Sequence, residues 1–309
     1  EPAKDNSKTF FRRYKPYPAY KDSGVEWLGE VPKHWGIQRM RYTVSSCQNG
    51  TWGEEPLGDS GDVTCIRVAD FDRTKNKITV LSEPTFRYIP QHQQEKFILN
   101  SGELLIEKSG GGEQQPVGVV MLYDLEDRAV CSNFIARMRV KTNKNAIFLL
   151  YLHKHLYESG LNTRSIKQNT GIQNLDLKSY LSEYVVMPSF TEQCKIAALL
   201  DRETAKIDAL IAKQEHLIEL LQEKRAALIT HAVTKGLDTN VPMKDTGVKW
   251  LGEIPAHWGT VSFKRLGEFQ GGVGFPDKLQ GRIDEELPFY KVSDTNNIGN
   301  EMYMKYHNN

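Results

Sequence analysis

The sequence predicts an α+β chain: a β-rich globular domain with helices, then a long coiled-coil helix, then the start of a second copy of the first domain. Three observations predict this. Residues 21–36 (KDSGVEWLGEVPKHWG) return as 244–259 (KDTGVKWLGEIPAHWG), an offset of 223, with twelve of sixteen positions identical. The interval between them opens with short β-rich runs. It closes with a helical apolar pattern that meets no Gly or Pro from 191 to 235.

The resulting division is an arm at 1–20, a first domain at 21–188, a spacer helix at 189–236 and a partial second domain at 237–309. A period of 223 is far beyond the ~20–50 residues of solenoid repeats, so it marks a duplicated domain. The second copy is weakly traceable to 290–294 (YKVSD, against IRVAD at 66–70) and then stops short, so the chain reads as truncated within it.

Composition bounds the function. The 309 residues are 39% hydrophobic and 26% charged, which suits soluble folded domains. The formal net charge is only +1, so any nucleic-acid contact must come from local patches. The four cysteines, Cys47, Cys65, Cys131 and Cys194, form no Cys-x-x-Cys pair, which discounts a closed zinc site and suits a reducing cytoplasm. No window approaches the ~18 apolar residues of a membrane span.

Taken in order, the arm carries Phe10, Phe11, Arg12, Arg13, Tyr14, Lys15, Tyr17 and Tyr20 without periodicity and is expected to be extended. Trp27, Leu28 and Trp35, like Trp250, Leu251 and Trp258, are expected to pin an opening loop onto a core. Strands are expected at 63–68, 77–81, 102–106 and 116–122. A half-exposed strand is expected at 134–140, where apolar and basic residues alternate. Phe148, Leu149, Leu152 and Leu156 form one stripe of a helix, with Asn145 as N-cap and Gly160 just past the end. A polar loop follows at 162–174, then a short helix and a strand ending at Pro188. Ser189-Phe190-Thr191-Glu192 has capping-box spacing and opens the long helix. About 43 residues at ~1.5 Å each span roughly 65 Å, more than a domain interior needs. Ile207, Leu210, Leu217, Leu221 and Leu228 lie on a heptad seam suited to a helical partner.

These segments resemble, in the same order, the specificity subunits of type I restriction–modification enzymes. The resemblance rests on the repeated frame, on GELLIEKSGGG (102–112) with QPVG (115–118), on TGIQNL (170–175), and on MPSFTEQ (187–193) leading into the helix. It covers nearly the whole chain. It implies a non-catalytic chain that binds double-stranded DNA, reads half of a bipartite target, and docks methyltransferase (modification) and restriction subunits. S-adenosylmethionine, ATP and Mg²⁺ would then belong to those partners, with no cofactor in this chain. The family pairs two long helices antiparallel. Only the first is present here, so a homodimer through the seam is a further expectation.

No catalytic residue is expected. Gly110-Gly111-Gly112 is followed neither by a helical pattern nor by the Lys-Ser/Thr of a phosphate-binding loop. A methyltransferase's Asn/Asp-Pro-Pro-Tyr/Phe segment is absent. Glu103, Glu107 and Lys108 lack the partners of a nuclease site, and His153 and His155 fall on different helix faces. For DNA contact, Arg or Lys suits guanine edges, and Asn or Gln suits adenine edges. The acid-free run 163–170 supplies Arg164, Lys167, Gln168 and Asn169. Lys108, Ser109, Gln114 and Gln115 form a second group. Arg73 and Lys75, with Lys77, form a third, expected to meet phosphate or merely solvent. The competing reading is a coiled-coil scaffold whose head binds protein without DNA preference. A single-chain restriction enzyme, with catalysis outside these residues, is another.

Overall fold

A computed structural model describes residues 15–79, 84–112, 114–169, 171–268, 270–272, 274 and 292. The aromatic-basic residues 10–14, the end of the strand expected at 77–81 and all but residue 292 of the weak repeat at 290–294 lie outside them. The chain divides into two compact units, residues 1–217 and 218–309.

The N-terminal unit begins with the repeated frame. β1 (Tyr20–Asp22) and β2 (Glu30–Pro32) form an antiparallel hairpin that pairs Lys21 with Val31. Its turn is closed locally: Ser23 N donates to Gly29 O at 3.0 Å, and Val25 N donates to Ser23 Oγ at 3.1 Å. Gly24 and Gly29 sit at φ +67° and +57°, where a side chain would be strained. β3 (Gly36–Arg39), a 3₁₀ turn (Met40–Tyr42) and β4 (Val44–Asn49) follow.

Next come β5 (Asp62–Ile66), the tight hairpin of β6 (Phe71–Asp72) and β7 (Lys77–Ile78), β8 (Phe86–Tyr88) and helix α1 (Gln91–Phe97). β9 (Leu104–Glu107), β10 (Ser109–Gly110), β11 (Val120–Leu122), β12 (Ala129–Cys131) and β13 (Ile135–Val140) complete the strand-rich region. The strand expected at 116–122 is therefore confined to its last three residues. Gly118, at φ +112° and close to the Asn162 side chain, holds the earlier part out of the ladder.

The central sheet runs β11-β9-β13-β4, all antiparallel. β9 is buried throughout and serves two cores. Leu104 and Ile106 join one with Ala136, Met138 and the helix α2 (Ala146–Glu158) side chains Leu149, Leu152 and Leu156. Leu105 joins the other with Met121, Ile135, Ile66 and Tyr123. Period-2 alternation thus supplies two apolar faces rather than one.

The same arrangement corrects the half-exposed strand expected at 134–140. β13 lies inside the sheet, and Arg137 is only 3% exposed. Its terminal guanidinium nitrogens donate to the carbonyls of Ile98 and Lys96, each at 2.8 Å, and to Gln48 Oε1 at 3.0 Å, while Nε faces Glu103 at 3.7 Å without a hydrogen bond. A buried cation is tolerable when hydrogen-bonded and paired, so basic alternation did not signal solvent.

Helix α2 starts and stops where its capping residues dictate. Asn145 Oδ1 accepts from Phe148 N at 2.8 Å, and Gly160 takes φ +72°. A 3₁₀ segment (Leu161–Ser165) then leads into β14 (Ile166–Asn169) and β15 (Ile172–Leu175). The polar segment expected to be a loop is therefore mostly a β-hairpin. Helix α3 (Leu177–Tyr180) and β16 (Tyr184–Met187) follow, β16 pairing with β3.

Helix α4 (Phe190–Lys235) begins in the capping box. Glu192 N donates to Ser189 Oγ at 3.3 Å, and Ser189 N donates to Glu192 Oε2 at 3.2 Å. The other Glu192 oxygen takes His34 Nε2 at 2.8 Å and Trp35 Nε1 at 3.4 Å, tying the frame to the helix base. These bonds, the His34 contact first, hold the Glu192 carboxyl down at about 2. Trp27 packs against the α2 core beside His155, as a pinning residue should.

In the C-terminal unit the frame forms again. β17 (Met243–Asp245) and β18 (Glu253–Pro255) pair Lys244 with Ile254. Thr246 N donates to Gly252 O at 3.1 Å, with Gly247 and Gly252 at φ +69° and +64°. A 3₁₀ turn (Phe263–Arg265) repeats Met40–Tyr42 at the same offset. Trp258 lies against Gly236, which ends the helix at φ +80°. Trp250, expected to pin as Trp27 does, is instead 83% exposed. Among the described residues, nothing covers it as His155 covers Trp27.

Candidate nucleic-acid interface

Two of the three candidate groups meet in one sheet, ordered β10-β15-β14. Its register sets Ser109, Asn174 and Lys167 in one row and Gly110, Gln173 and Gln168 in the next. Residues in one row share a face, and successive rows alternate. β15 shows the consequence: Ile172 and Asn174 are exposed, whereas Gln173 and Leu175 are buried.

The outward row is built from polar side chains. Ser109 Oγ donates to Asn174 Oδ1 at 2.6 Å. Lys167 Nζ donates to Asp176 Oδ2 at 2.6 Å, and Asp176 also accepts from Lys178 N and Ser179 N at the start of α3. The acid-free run is thus met by an acid from just beyond it, which its own window did not contain. Arg164 is exposed in the 3₁₀ segment, Gln168 is exposed in β14, and Asn169 lies opposite Ile172.

The inward row braces the neighbouring segment. Gln173 Oε1 accepts from Val117 N at 3.2 Å. β10 leads into Gly111 and Gly112, and Gly112 N donates to Gln115 O at 3.0 Å. Gly111 has φ +53°, and a Cβ there would stand 2.9 Å from Gln115 O and Val117 N, so the turn demands glycine. Gln114 and Gln115 are exposed at its far side. Lys108 joins the sheet by its backbone: its N–H donates to Phe134 O at 2.9 Å, and its carbonyl accepts from Leu175 N at 2.8 Å.

The third group is not part of this surface. Arg73, expected to meet phosphate or solvent, is turned inward, a correction with a clear cause. Its Nη2 donates to the buried Glu107 Oε2 at 2.7 Å, and its Nη1 donates to Tyr157 Oη at 2.9 Å. Tyr157 Oη in turn donates to Pro116 O at 2.9 Å. Arg73, Glu107 and Tyr157 therefore brace both ends of the 108–116 segment from below. Burial pushes the Glu107 carboxyl up to about 7, against the pull of Arg73. Lys75, beside Asp72 at 3.8 Å, and Lys77 line a separate groove. There Asp124, Asp201 and Asp208 accompany Lys154, so its charge is mixed.

The carboxylates near β9 are committed. Glu103 Oε1 accepts from Arg139 Nε at 2.6 Å, and Glu107 is held by Arg73. Among the described residues no three His, Cys, Asp or Glu side chains cluster to hold a metal ion. His153 is buried, its Nδ1 2.7 Å from Tyr180 Oη, and His155 lies beside Trp27.

Sequence reasoning missed Asn174 and Gln173 as members of the surface. A signal existed. The run Ile166-Lys167-Gln168-Asn169-Thr170-Gly171-Ile172-Gln173-Asn174-Leu175 places a turn-forming Gly, at φ +86°, between two short strands. The exposed outcome is a row of hydroxyl, amide and ammonium groups on the sheet, with the exposed Arg164 in the 3₁₀ segment that leads into it, the chemistry that matches base edges and phosphates.

The type I restriction modification DNA specificity domain family matches residues 49–220, a span containing the whole of this sheet. The specificity subunit of the type I restriction enzyme MjaVIII, from Methanocaldococcus jannaschii, is 24% identical over 180 residues, 58% of this chain and 39% of that one. A solved chain of a type I R-M system, described for its complex assembly and conformational transition, aligns at 21% identity with a TM-score of 0.49, covering 74% of this chain and 51% of that one. The HsdS subunit from Thermoanaerobacter tengcongensis aligns at 20% identity with a TM-score of 0.43, covering 71% and 48%. The chain thus spans about half the length, or less, of the proteins it matches.

Proposed function

This chain belongs to the type I restriction modification DNA specificity domain family, and from that premise we propose that its N-terminal unit reads one half of a bipartite duplex target. The observation that carries the reading is the β10-β15-β14 sheet, which sets Ser109, Asn174 and Lys167 in one outward row from segments up to 65 residues apart, with the exposed Gln168 and the half-buried Lys108 in the rows beside it. Arg164, Gln114 and Gln115 flank it. Rigid strands hold the reading groups, and Arg73 and Tyr157 brace the segment behind them.

The chain neither cuts nor methylates DNA on this reading. Methyltransferase subunits carrying S-adenosylmethionine, and restriction subunits using ATP and Mg²⁺, supply the chemistry in the cytoplasm. Helix α4 serves as spacer and docking arm. Ile207, Leu210, Leu217, Leu221 and Leu228 are each about half exposed or more, an apolar seam suited to a helical partner, with a second copy of this chain as one such partner.

The test begins with methylome sequencing of cells carrying the system, which gives the target. Binding of the chain to target and random duplexes is then compared by fluorescence anisotropy. Arg164→Ala and Gln168→Ala should each weaken target binding by about 1–3 kcal/mol while sparing random duplex. Equal losses on both duplexes would assign phosphate contact instead, and no loss would remove the hairpin from the interface. Absence of any sequence preference in the unaltered chain would favour the coiled-coil scaffold.

A further inference from the structure

A second surface of the N-terminal unit has no part in the reading sheet. β3 ends at Arg39, and the 3₁₀ turn Met40–Tyr42 follows. The turn is fixed rather than loose. Met40 is wholly buried, its N–H donates to Glu183 O at 2.8 Å, and Arg41 N donates to Leu181 O at 2.7 Å. Thr43 Oγ1 closes the turn on Met40 O at 2.7 Å. The segment after β13 is drawn alongside, because Lys141 N donates to Thr43 O at 3.0 Å and Lys144 N to Lys141 O at 2.9 Å.

These backbone bonds gather cations around two exposed tyrosines. Arg39 lies 5.0 Å over the Tyr184 ring, and Arg41 lies 5.0 Å over the Tyr42 ring while donating to its hydroxyl at 3.2 Å. Lys141 Nζ is 6.0 Å from the same ring. The Arg41 hydrogen bond and charge, then Arg39 and Lys141, pull the Tyr42 hydroxyl below the usual phenol range. Burial and the neighbouring Lys141 lower Lys144. Among the described residues none of these four cations has a carboxylate within ion-pair distance. Glu183, which adjoins Tyr184 in sequence, makes no ion pair with them. In a chain with 40 basic and 39 acidic residues, that is a local excess held in place by the fold.

We propose that Arg39, Arg41, Tyr42, Lys141 and Lys144 form a phosphate-backbone contact for duplex DNA, separate from the base-reading sheet. The inference rests on the DNA-binding reading above and adds a surface to it. A guanidinium held over a ring has five N–H donors, so even Arg41, with one spent on Tyr42, has donors to offer phosphate oxygens. The two lysines, a residue type depleted at protein–protein interfaces, favour phosphate over a protein partner. Here the apolar residue of the turn, Met40, faces the core, leaving only tyrosine rings outside. At an offset of 223 the turn itself recurs as Phe263–Arg265 with a basic residue, the exposed Lys264, at the Arg41 position, though Ser262 and Arg265 stand where Arg39 and Tyr42 do.

The experiment uses the full chain with all three of Arg41→Gln, Lys141→Gln and Lys144→Gln. Anisotropy is measured on a random-sequence duplex and on the target duplex across a KCl series. Both affinities should fall by the same factor, and the slope of log K against log salt should shrink by about one per lost contact. Arg41→Lys with Lys141→Arg should keep the slope. An unchanged slope on both duplexes overturns the inference, as does a loss confined to the target, which would make the surface a base reader. So does an unaltered slope with lost methyltransferase-subunit binding, which would place an acidic protein face there. Far-UV circular dichroism checks the fold, and Lys144→Gln alone should still shrink the slope by about one. If the unaltered chain shows no target preference, the base-reading sheet fails, while the slope comparison on random duplex still decides this surface.

Discussion

Substituting Glu107 by Gln should change how stability depends on pH, in a sense fixed by two buried groups that oppose each other. Glu107 is wholly buried, and its carboxyl is raised from 4.5 to about 7 by that burial. A raised carboxyl favours folding fully below pH 4.5, and that contribution is lost as pH rises through 7. His153 is also wholly buried, and burial lowers it from 6.5 to about 4. Its contribution is complete above pH 6.5 and is lost as pH falls through 4. Each displacement, at about 1.4 kcal/mol per pH unit, is worth about 3 kcal/mol. Between pH 4.5 and 6.5 the two slopes cancel in the unaltered protein. Glu107→Gln removes one of them. The variant should gain about 3 kcal/mol on the unaltered protein as pH climbs from 4.5 to 7, whatever constant offset the lost Arg73 pair imposes. Urea unfolding at a series of pH values measures the gap, with hydrogen exchange of β9 and α2 peptides confining the signal to this core. A gap constant across the window would show that Arg73 keeps Glu107 ionised in the folded state, and the burial argument would fail.

Two further outcomes follow from packing. Gly50→Ala would set a methyl 2.1 Å from Cys131 O and 2.3 Å from Ser132 O, backbone atoms of a paired strand and its end, so thermal melting should show a loss of about 1–3 kcal/mol or more. If α4 pairs with a second copy of this chain, light scattering over a dilution series should show a concentration-dependent dimer that Leu217→Glu with Leu221→Glu abolishes. A mass that stays monomeric throughout, or a dimer that survives the double change, would place no interface on that seam.

What the sequence disclosed was what neighbouring residues decide among themselves. Asn145 caps α2, Ser189 and Glu192 box the start of α4, and the frame's glycines take the conformations that two copies of one motif imply. What it hid depends on partners far along the chain. Ser109 finds Asn174 across 65 residues, and Arg73 finds Glu107 across 34. Neither pairing leaves a trace in a local window, so a recognition group and a buttress looked alike. Arg137 misled for a related reason. Alternation reports which side chains share a face, but whether that face meets solvent is settled by the strands and carbonyls that close over it. The Arg39–Tyr184 stack was invisible until β16 paired with β3.

The frame hairpin has a consequence for how such chains can change. In both copies its turn bonds close on themselves, Ser23 to Gly29 and Val25, and Thr246 to Gly252 and Val248. A segment that completes its own hydrogen bonding asks little of what comes next. A crossover inside it would keep the hairpin's own bonds and register, since the two stretches agree at twelve of sixteen positions. The hairpin is therefore indifferent to which copy it opens, and an exchange at this stretch leaves only the ties beyond it, such as those of His34 and Trp35 to Glu192, for the new body to supply.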